Sequence, residues 1–291
     1  IKPEELHWLW QKRIPLGQLT LLEGDPGLGK SLLTLDLAAR ITTGQPMPDD
    51  TPGTQGSVIL ISLEDSQASV LIPRLTAAGA NLNHIRLLSF IDAYDSKLEL
   101  NLSLPFTFSK HLLTLVRIVD HTHPVLVIID SLMPALGPKY NPYSDQNIRQ
   151  LLINLANLAR KVNCAILIIR HLTKSNSHNP IYRGGGSIGL IGHARSGLLV
   201  TQHPSEGNKR ILASIKNNLS DKADNLTFEV VPDTQNLPTI RWLGTNDTPL
   251  SSLLHPTSSS LFSFERQALL KALQNSCLLY TSDAADDLTR V

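Results

Sequence analysis

Cysteine is scarce in this chain: Cys164 and Cys277 are the only two. That argues against a disulfide-built secreted scaffold, and a cytoplasmic setting is expected. Cys164 lies in the apolar run CAILII and reads as a small buried hydrophobe. Charge of one sign is lacking too, with a formal net charge of +1. This excludes a globally basic coat for nucleic acid and leaves room for a local basic groove. No apolar run nears the ~18 residues that would span a bilayer, so no membrane partner is expected. The amino end, IKPEELHWLW, has neither the apolar segment nor the small-residue cleavage site of a signal peptide. It does not begin with Met, so the true start is expected to be missing. What the chain does have is a hydrophobic content of 42%, enough for a substantial core. Its 291 residues fit one large or two smaller domains.

Apolar runs alternate with helical patterns. LTLLEG (19–24) predicts a strand, and SLLTLDLAARITT (31–43) a helix with Leu32, Leu35 and Ala39 at helical spacing and Gly44 just beyond. SVILISLED (57–65) is β-rich. SQASVLIPRLTAAGA (66–80) reads as a helix that Pro73 must kink or break. IRLLSF (85–90) predicts a short strand and 107–120 a helix. VLVIID (125–130) and CAILIIRH (164–171) are continuous apolar runs, as parallel strands covered on both faces require. Between them, residues 146–162 form a strongly amphipathic helical pattern. After about residue 195, RSGLLVTQ, KRILASIKNN, LTFEVV and TIRWLG read as consecutive strands that extend the sheet in antiparallel fashion. The fold class is therefore α/β, a mostly parallel central sheet flanked by helices, with antiparallel strands added at the C-terminal side.

The expected division is a core over 1–247, a linker over 248–261 and the start of a truncated helical module over 262–276. Within the remainder, 277–291, CLLYTSDAADD follows no pattern of the fold. TGT CTC TTA TAC ACA TCT, a transposon-end adaptor used in sequencing libraries, translates to Cys-Leu-Leu-Tyr-Thr-Ser, which matches 277–282. An ordinary helical tail is the alternative. The expectation is that 277–291 is translated adaptor and that the natural chain continues differently past Ser276.

GDPGLGKS (24–31) fits G-x-x-x-x-G-K-[ST], the phosphate loop. Its strand before and helix after are the context the motif demands. Gly24, Gly27 and Gly29 let backbone N–H groups turn toward a phosphate, and the helix adds its positive end. Gly24, Asp25, Pro26, Gly27, Leu28, Gly29, Lys30, Ser31 and Leu32 form the expected nucleotide cradle. Lys30 would reach the β- and γ-phosphates and Ser31 would ligate Mg²⁺, so ATP and Mg²⁺ are the expected cofactors. Asp130, at the tip of VLVIID, sits where a Walker-B carboxylate holds Mg²⁺; alternatively it caps a turn. Glu64 is the preferred general base, with Asp65 its rival or a helix cap. His171 ends CAILIIRH and reads either as a γ-phosphate contact or as a solvent-facing side chain, and Arg170 shares that ambiguity. Arg183, in YRGGGSIG, reads as an arginine finger or as a solvated cation; Lys216 has the same two readings. Lys139, Tyr140, Tyr143 and Lys174 lie in two polar loops where cations mix with aromatics, a pattern that can track a nucleic-acid backbone.

The series WLWQKRIPLGQLTLLEGDPGLGKS, ISLED, VIIDSLMPAL, IIRHLTKS, RGGGSIGLIGHARSGLLV and ILASIKNNL resembles the RepA-like group of RecA-fold AAA-type ATPases. These are relatives of the hexameric helicases, found in plasmids, phages and mobile elements, often beside primase domains. The resemblance runs from about Trp8 to Gly244. It implies a RecA-like P-loop NTPase fold in a hexameric ring, with Lys30 and Ser31 on ATP–Mg²⁺. Glu64 would be the catalytic carboxylate, Asp130 the Walker-B acid, His171 the γ-phosphate sensor and Arg183 the finger reaching a neighbour's ATP. Where better-known ring helicases carry K-x-R, this chain has Lys216-Asn217-Asn218, which makes Arg183 the better finger candidate. Implied partners are single-stranded DNA, further copies of the chain and a primase or replication initiator. Two functions remain open: an ATP-driven DNA helicase or translocase in replication of a mobile element, or an ATP-dependent DNA-binding clamp or switch that does not unwind. A small-molecule kinase, which shares the phosphate loop, ranks below both.

Overall fold

The computed structural model describes residues 5–95, 100–141, 144–171 and 189–254. In chain order the elements are β1 (Trp8–Trp10), β2 (Ile14–Pro15), β3 (Leu19–Gly24), α1 (Lys30–Thr43), β4 (Val58–Ser62), α2 (Ile72–Ala77) and β5 (Ile85–Leu87). Then come β6 (Phe90–Asp95), β7 (Leu100–Pro105), α3 (Phe108–Thr122), β8 (Leu126–Asp130), α4 (Leu132–Ala135), α5 (Asp145–Val162) and β9 (Ala165–His171). The last are α6 (Gly189–His193), β10 (Ser196–Gln202), β11 (Lys209–Asn217), β12 (Asn225–Pro232), β13 (Pro238–Asn246) and α7 (Leu250–Leu254).

A nine-stranded sheet organises the molecule in the order β13-β12-β11-β10-β3-β9-β8-β4-β5. From β10 to β5 every pairing is parallel, and β11, β12 and β13 follow as an antiparallel meander. Side-chain alternation along the central strands splits the core in two. Leu19, Leu21, Ile59, Ile61, Val127, Ile129, Ile166 and Ile168 pack with α3 and α5 through Leu115, Val119, Leu151 and Leu155. Leu22, Val58, Leu60, Leu126, Ile128, Leu167 and Ile169 face α1 through Leu33, Leu37, Ala38 and Ile41. Both faces are covered, which is why these strands read as unbroken apolar runs. Each fully buried Leu or Ile contributes about 1.5–3 kcal/mol of transfer free energy.

Local signals set the helix ends. Gly44 closes α1 in the left-handed conformation with its N–H on the Arg40 carbonyl. Ser144 caps α5, whose basic last turn, Arg160 and Lys161, ends at left-handed Asn163. Pro73 breaks the expected 66–80 helix: a π-helical turn, Gln67–Leu71, precedes α2, and the proline falls in the first turn of α2. The expected 85–90 strand also divides. β5 stops at Leu87 and Phe90 opens the separate β6–β7 hairpin. The β1–β2 hairpin was not legible either. Trp10 packs edge-on against Trp242 and donates to Asp49, while Arg13 pairs with Asp49 and donates to the Asp224 carbonyl at 2.6 Å. The segment read as a linker begins with α7, whose Leu253 packs on Ile211 and Ala213.

Candidate functional site

In an open parallel sheet, ligands gather at the carboxyl ends of the strands. Here that edge carries Gly24 at the end of β3, Ser62 of β4, Asp130 of β8 and His171 of β9. Register brings them together, since Gly24 pairs with His171 and Ser62 with Asp130. The arrangement is a RecA-like P-loop fold.

The loop from Gly24 to Lys30 runs directly into α1. Gly27 and Gly29 hold φ of 78° and 86°, a left-handed backbone that favours glycine. At Gly24 the constraint is contact: a Cβ there would stand 2.4 Å from the Val200 carbonyl oxygen of β10. Lys30 is only 3% exposed. Its Nζ donates to the carbonyls of Gly24 and Asp25 at 2.9 and 2.8 Å, so the ammonium sits inside the loop. Burial pulls its pKa down to about 8, against the charges of Asp130, Asp25 and Glu64.

Asp130 is buried and hydrogen-bonds Ser31. Burial raises its pKa to about 6, and the nearby charges of Glu64 and Asp65 add to that. A buried carboxylate hydrogen-bonded to a hydroxyl at the foot of a phosphate loop is a hard oxygen donor set for Mg²⁺. Among the described residues no group of three or more His, Cys, Asp or Glu could hold a metal. The hydrogen-bonded Asp130 and Ser31 fit ATP–Mg²⁺.

Glu64 and Asp65 follow β4, and their partners differ. Glu64 is exposed and accepts a hydrogen bond from the Ser131 hydroxyl at 2.7 Å. Asp65 pairs with Arg74 at 3.3 Å, and the helix cap foreseen for it belongs to Ser66. His171 has its pKa lowered by burial and by the Lys30 charge. Its Nδ1 is buried with no hydrogen-bond partner among the described residues. Arg170 points into the core instead of solvent. Its Nε donates to Glu23 at 2.5 Å, and both side chains are 1% exposed.

Other candidates stand elsewhere. Lys216 pairs with Gly197 at the amino end of β10, the opposite end of the sheet from the phosphate loop, and donates to the carbonyls of Ile191 and Gly192. Tyr140 is partly buried against the α3–α5 core, whereas Lys139 is exposed. Tyr143, Lys174, Arg183 and the segment 262–291 lie outside the described residues. Sequence reasoning missed Ser131 and the Glu23–Arg170 pair. The signal was there in each case: a hydroxyl directly after Asp130, and opposite charges embedded one residue from the ends of two apolar strands.

No helix among the described residues is long and apolar enough to cross a membrane. The chain is 26% identical over 218 residues to the DNA repair protein RadA of Halalkalibacterium halodurans, an alignment covering 74% of this chain and 39% of that protein. Against RadA of Listeria monocytogenes it is 26% identical over 220 residues, covering 74% of this chain and 39% of the relative. Against RadA of Bacillus subtilis it is 25% identical over 219 residues, with the same coverage. The chain thus spans about two fifths of the length of these curated relatives. The family described as AAA domain matches residues 2–177, more than half of the chain. With the phosphate-loop motif and the parallel strands β3, β4, β5, β8 and β9 inside that span, the chain belongs to the AAA domain family.

Proposed function

We propose that this chain is an ATP-hydrolysing RecA-type motor that moves on single-stranded DNA, of the replicative-helicase type found in mobile elements and working as a hexameric ring. The observation that carries the reading is the convergence of the Gly24–Ser31 loop, Glu64, Asp130 and His171 on one sheet edge. The loop amides and the start of α1 bind the phosphates. Lys30 exchanges the Gly24 and Asp25 carbonyls for phosphate oxygens, and its ammonium gains the counter-charge that burial denies it. Ser31 and Asp130 hold Mg²⁺, which when bound neutralises phosphate charge. Glu64 orients a water and accepts its proton. His171, whose Nδ1 lacks a partner among the described residues, hydrogen-bonds the γ-phosphate and passes its loss to the segment that follows β9. Arg183 completes a neighbouring subunit's site.

Relatives named for DNA repair support DNA as the load. A primase or replication initiator is the proposed protein partner. The one buried cysteine among the described residues fits a reducing, cytoplasmic setting. One observation favours a second reading, an ATP-dependent clamp that binds DNA without unwinding: the net charge of only +1. The test is ATP turnover with and without single-stranded DNA, followed by strand displacement on a forked duplex, with Lys30→Ala as the inactive control. A motor is stimulated and displaces the strand. Turnover indifferent to DNA rejects the motor, and stimulation without displacement favours the clamp.

A further inference from the structure

The serine after the Walker-B acid has an ordinary job open to it and does not take it. Ser131 stands at the N-cap position of α4, where a serine oxygen normally accepts from backbone N–H groups of the first turn. No such bond forms. Its hydroxyl donates instead to Oε1 of Glu64 at 2.7 Å, across two neighbouring strands. Strand register creates the contact. Ser62 of β4 lies opposite Asp130 of β8, so the residues just past each strand, Glu64 and Ser131, meet over the sheet edge.

The two partners are unequal. Ser131 is 3% exposed and fixed between β8 and α4, whereas Glu64 is exposed. An exposed glutamate has rotamer freedom to lose on being fixed, and a base must hold its oxygen within hydrogen-bond reach of the proton it takes. The hydroxyl engages one carboxylate oxygen of Glu64, Oε1, and not the other. The neighbouring Asp65 is held by Arg74 instead. The contact therefore selects Glu64 from the Glu-Asp pair and fixes its orientation.

We propose that Ser131 is a positioning residue for the catalytic carboxylate, a role that rests on reading Glu64 as the general base. The test uses the full chain with Ser131→Ala, Ser131→Thr, Glu64→Gln and the double variant Ser131→Ala/Glu64→Gln. Steady-state ATP turnover is measured beside direct binding of a fluorescent ATP analogue. Ser131→Ala is expected to lower kcat on the order of 10-fold, the scale of one hydrogen bond to a charged group, with KM and analogue affinity unchanged. Ser131→Thr keeps the hydroxyl and is expected to recover most of the loss. The double variant is expected to be no slower than Glu64→Gln alone, because Ser131 acts only through Glu64. A double variant slower than Glu64→Gln by the full Ser131→Ala factor overturns the proposal, as does loss of analogue affinity in Ser131→Ala. Full turnover in Ser131→Ala beside a dead Glu64→Gln overturns the positioning role and leaves Glu64 as the base. Full turnover in Glu64→Gln overturns the reading of Glu64 itself.

Discussion

Replacing Arg170 with Met removes one half of an ion pair whose two side chains are each 1% exposed. Glu23 then stays buried between β3 and β9 without that counter-charge, and its Oε2 has no hydrogen-bond partner among the described residues. Solvent screening is negligible at that depth, so the cost is that of an uncompensated buried charge, about 3–5 kcal/mol. Against a total stability of about 5–15 kcal/mol for a domain, the change is large and easily read by urea unfolding. Glu23 supplies a second signature. Burial already raises its pKa in the intact protein, outweighing the pull of Arg170. Without Arg170 the rise is greater, and the folded state takes up the proton more readily than the unfolded one. A raised carboxyl contributes stability below its unfolded pKa of about 4.3 and loses it as pH climbs through the folded value. The Arg170→Met penalty is therefore expected to shrink between pH 8 and pH 5. Removing both charges, as Glu23→Leu/Arg170→Met, is expected to restore most of the stability, because well-packed apolar replacements of buried pairs are often neutral or better. A loss under about 1 kcal/mol at pH 8, or a penalty that grows on acidification, refutes the reasoning.

Three further outcomes are expected. Gly24→Ala forces a methyl to within 2.4 Å of the Val200 carbonyl; it should cost about 1–3 kcal/mol in chemical denaturation and lower nucleotide affinity, and wild-type values in both would contradict the close packing of β3 on β10. Cys164 is buried, with its thiol pushed up to about 12; peptide-resolved mass spectrometry should find it unmodified by iodoacetamide at pH 8 in folded protein and alkylated in urea. If Arg183 serves a neighbour's ATP, mixtures of Arg183→Ala and Lys30→Ala subunits should regain part of the turnover each lacks alone, and no recovery at any ratio would count against a shared site.

The strands of the parallel sheet were readable because burial on both faces leaves runs such as VLVIID and CAILII no polar alternation to confuse the period. The phosphate loop was readable because its backbone needs glycines at fixed places. The hairpins were not. Residues 90–105 carry no two-residue Gly or Asn turn to announce the reversal between β6 and β7, and the β1–β2 pairing is only two to three residues long, with the intervening Arg13 tied to the distant Asp49 and Asp224. At the site, residue types at strand tips were legible and side-chain partners were not. Nothing in the letters Glu-Asp says that Arg74 takes one and Ser131 the other; that depends on which strands are neighbours. Arg170 shows the same limit, because a charge at a strand end looks identical whether it meets solvent or a buried Glu23.

The position of β3 in the sheet also bears on synthesis. Residues 19–24 leave the ribosome well before their flanking strands, β9, ending at His171, and β10, beginning at Ser196. A parallel strand cannot close on a short turn, and pairings so distant in sequence form slowly. Until residue 171 has emerged β3 has neither neighbour, and until about residue 200 has emerged Gly24 has no Val200 carbonyl to rest against. The nucleotide loop is made well before the strands that complete its sheet edge. Throughout that interval the unpaired edges of an apolar strand stand open to chaperones or to other nascent chains.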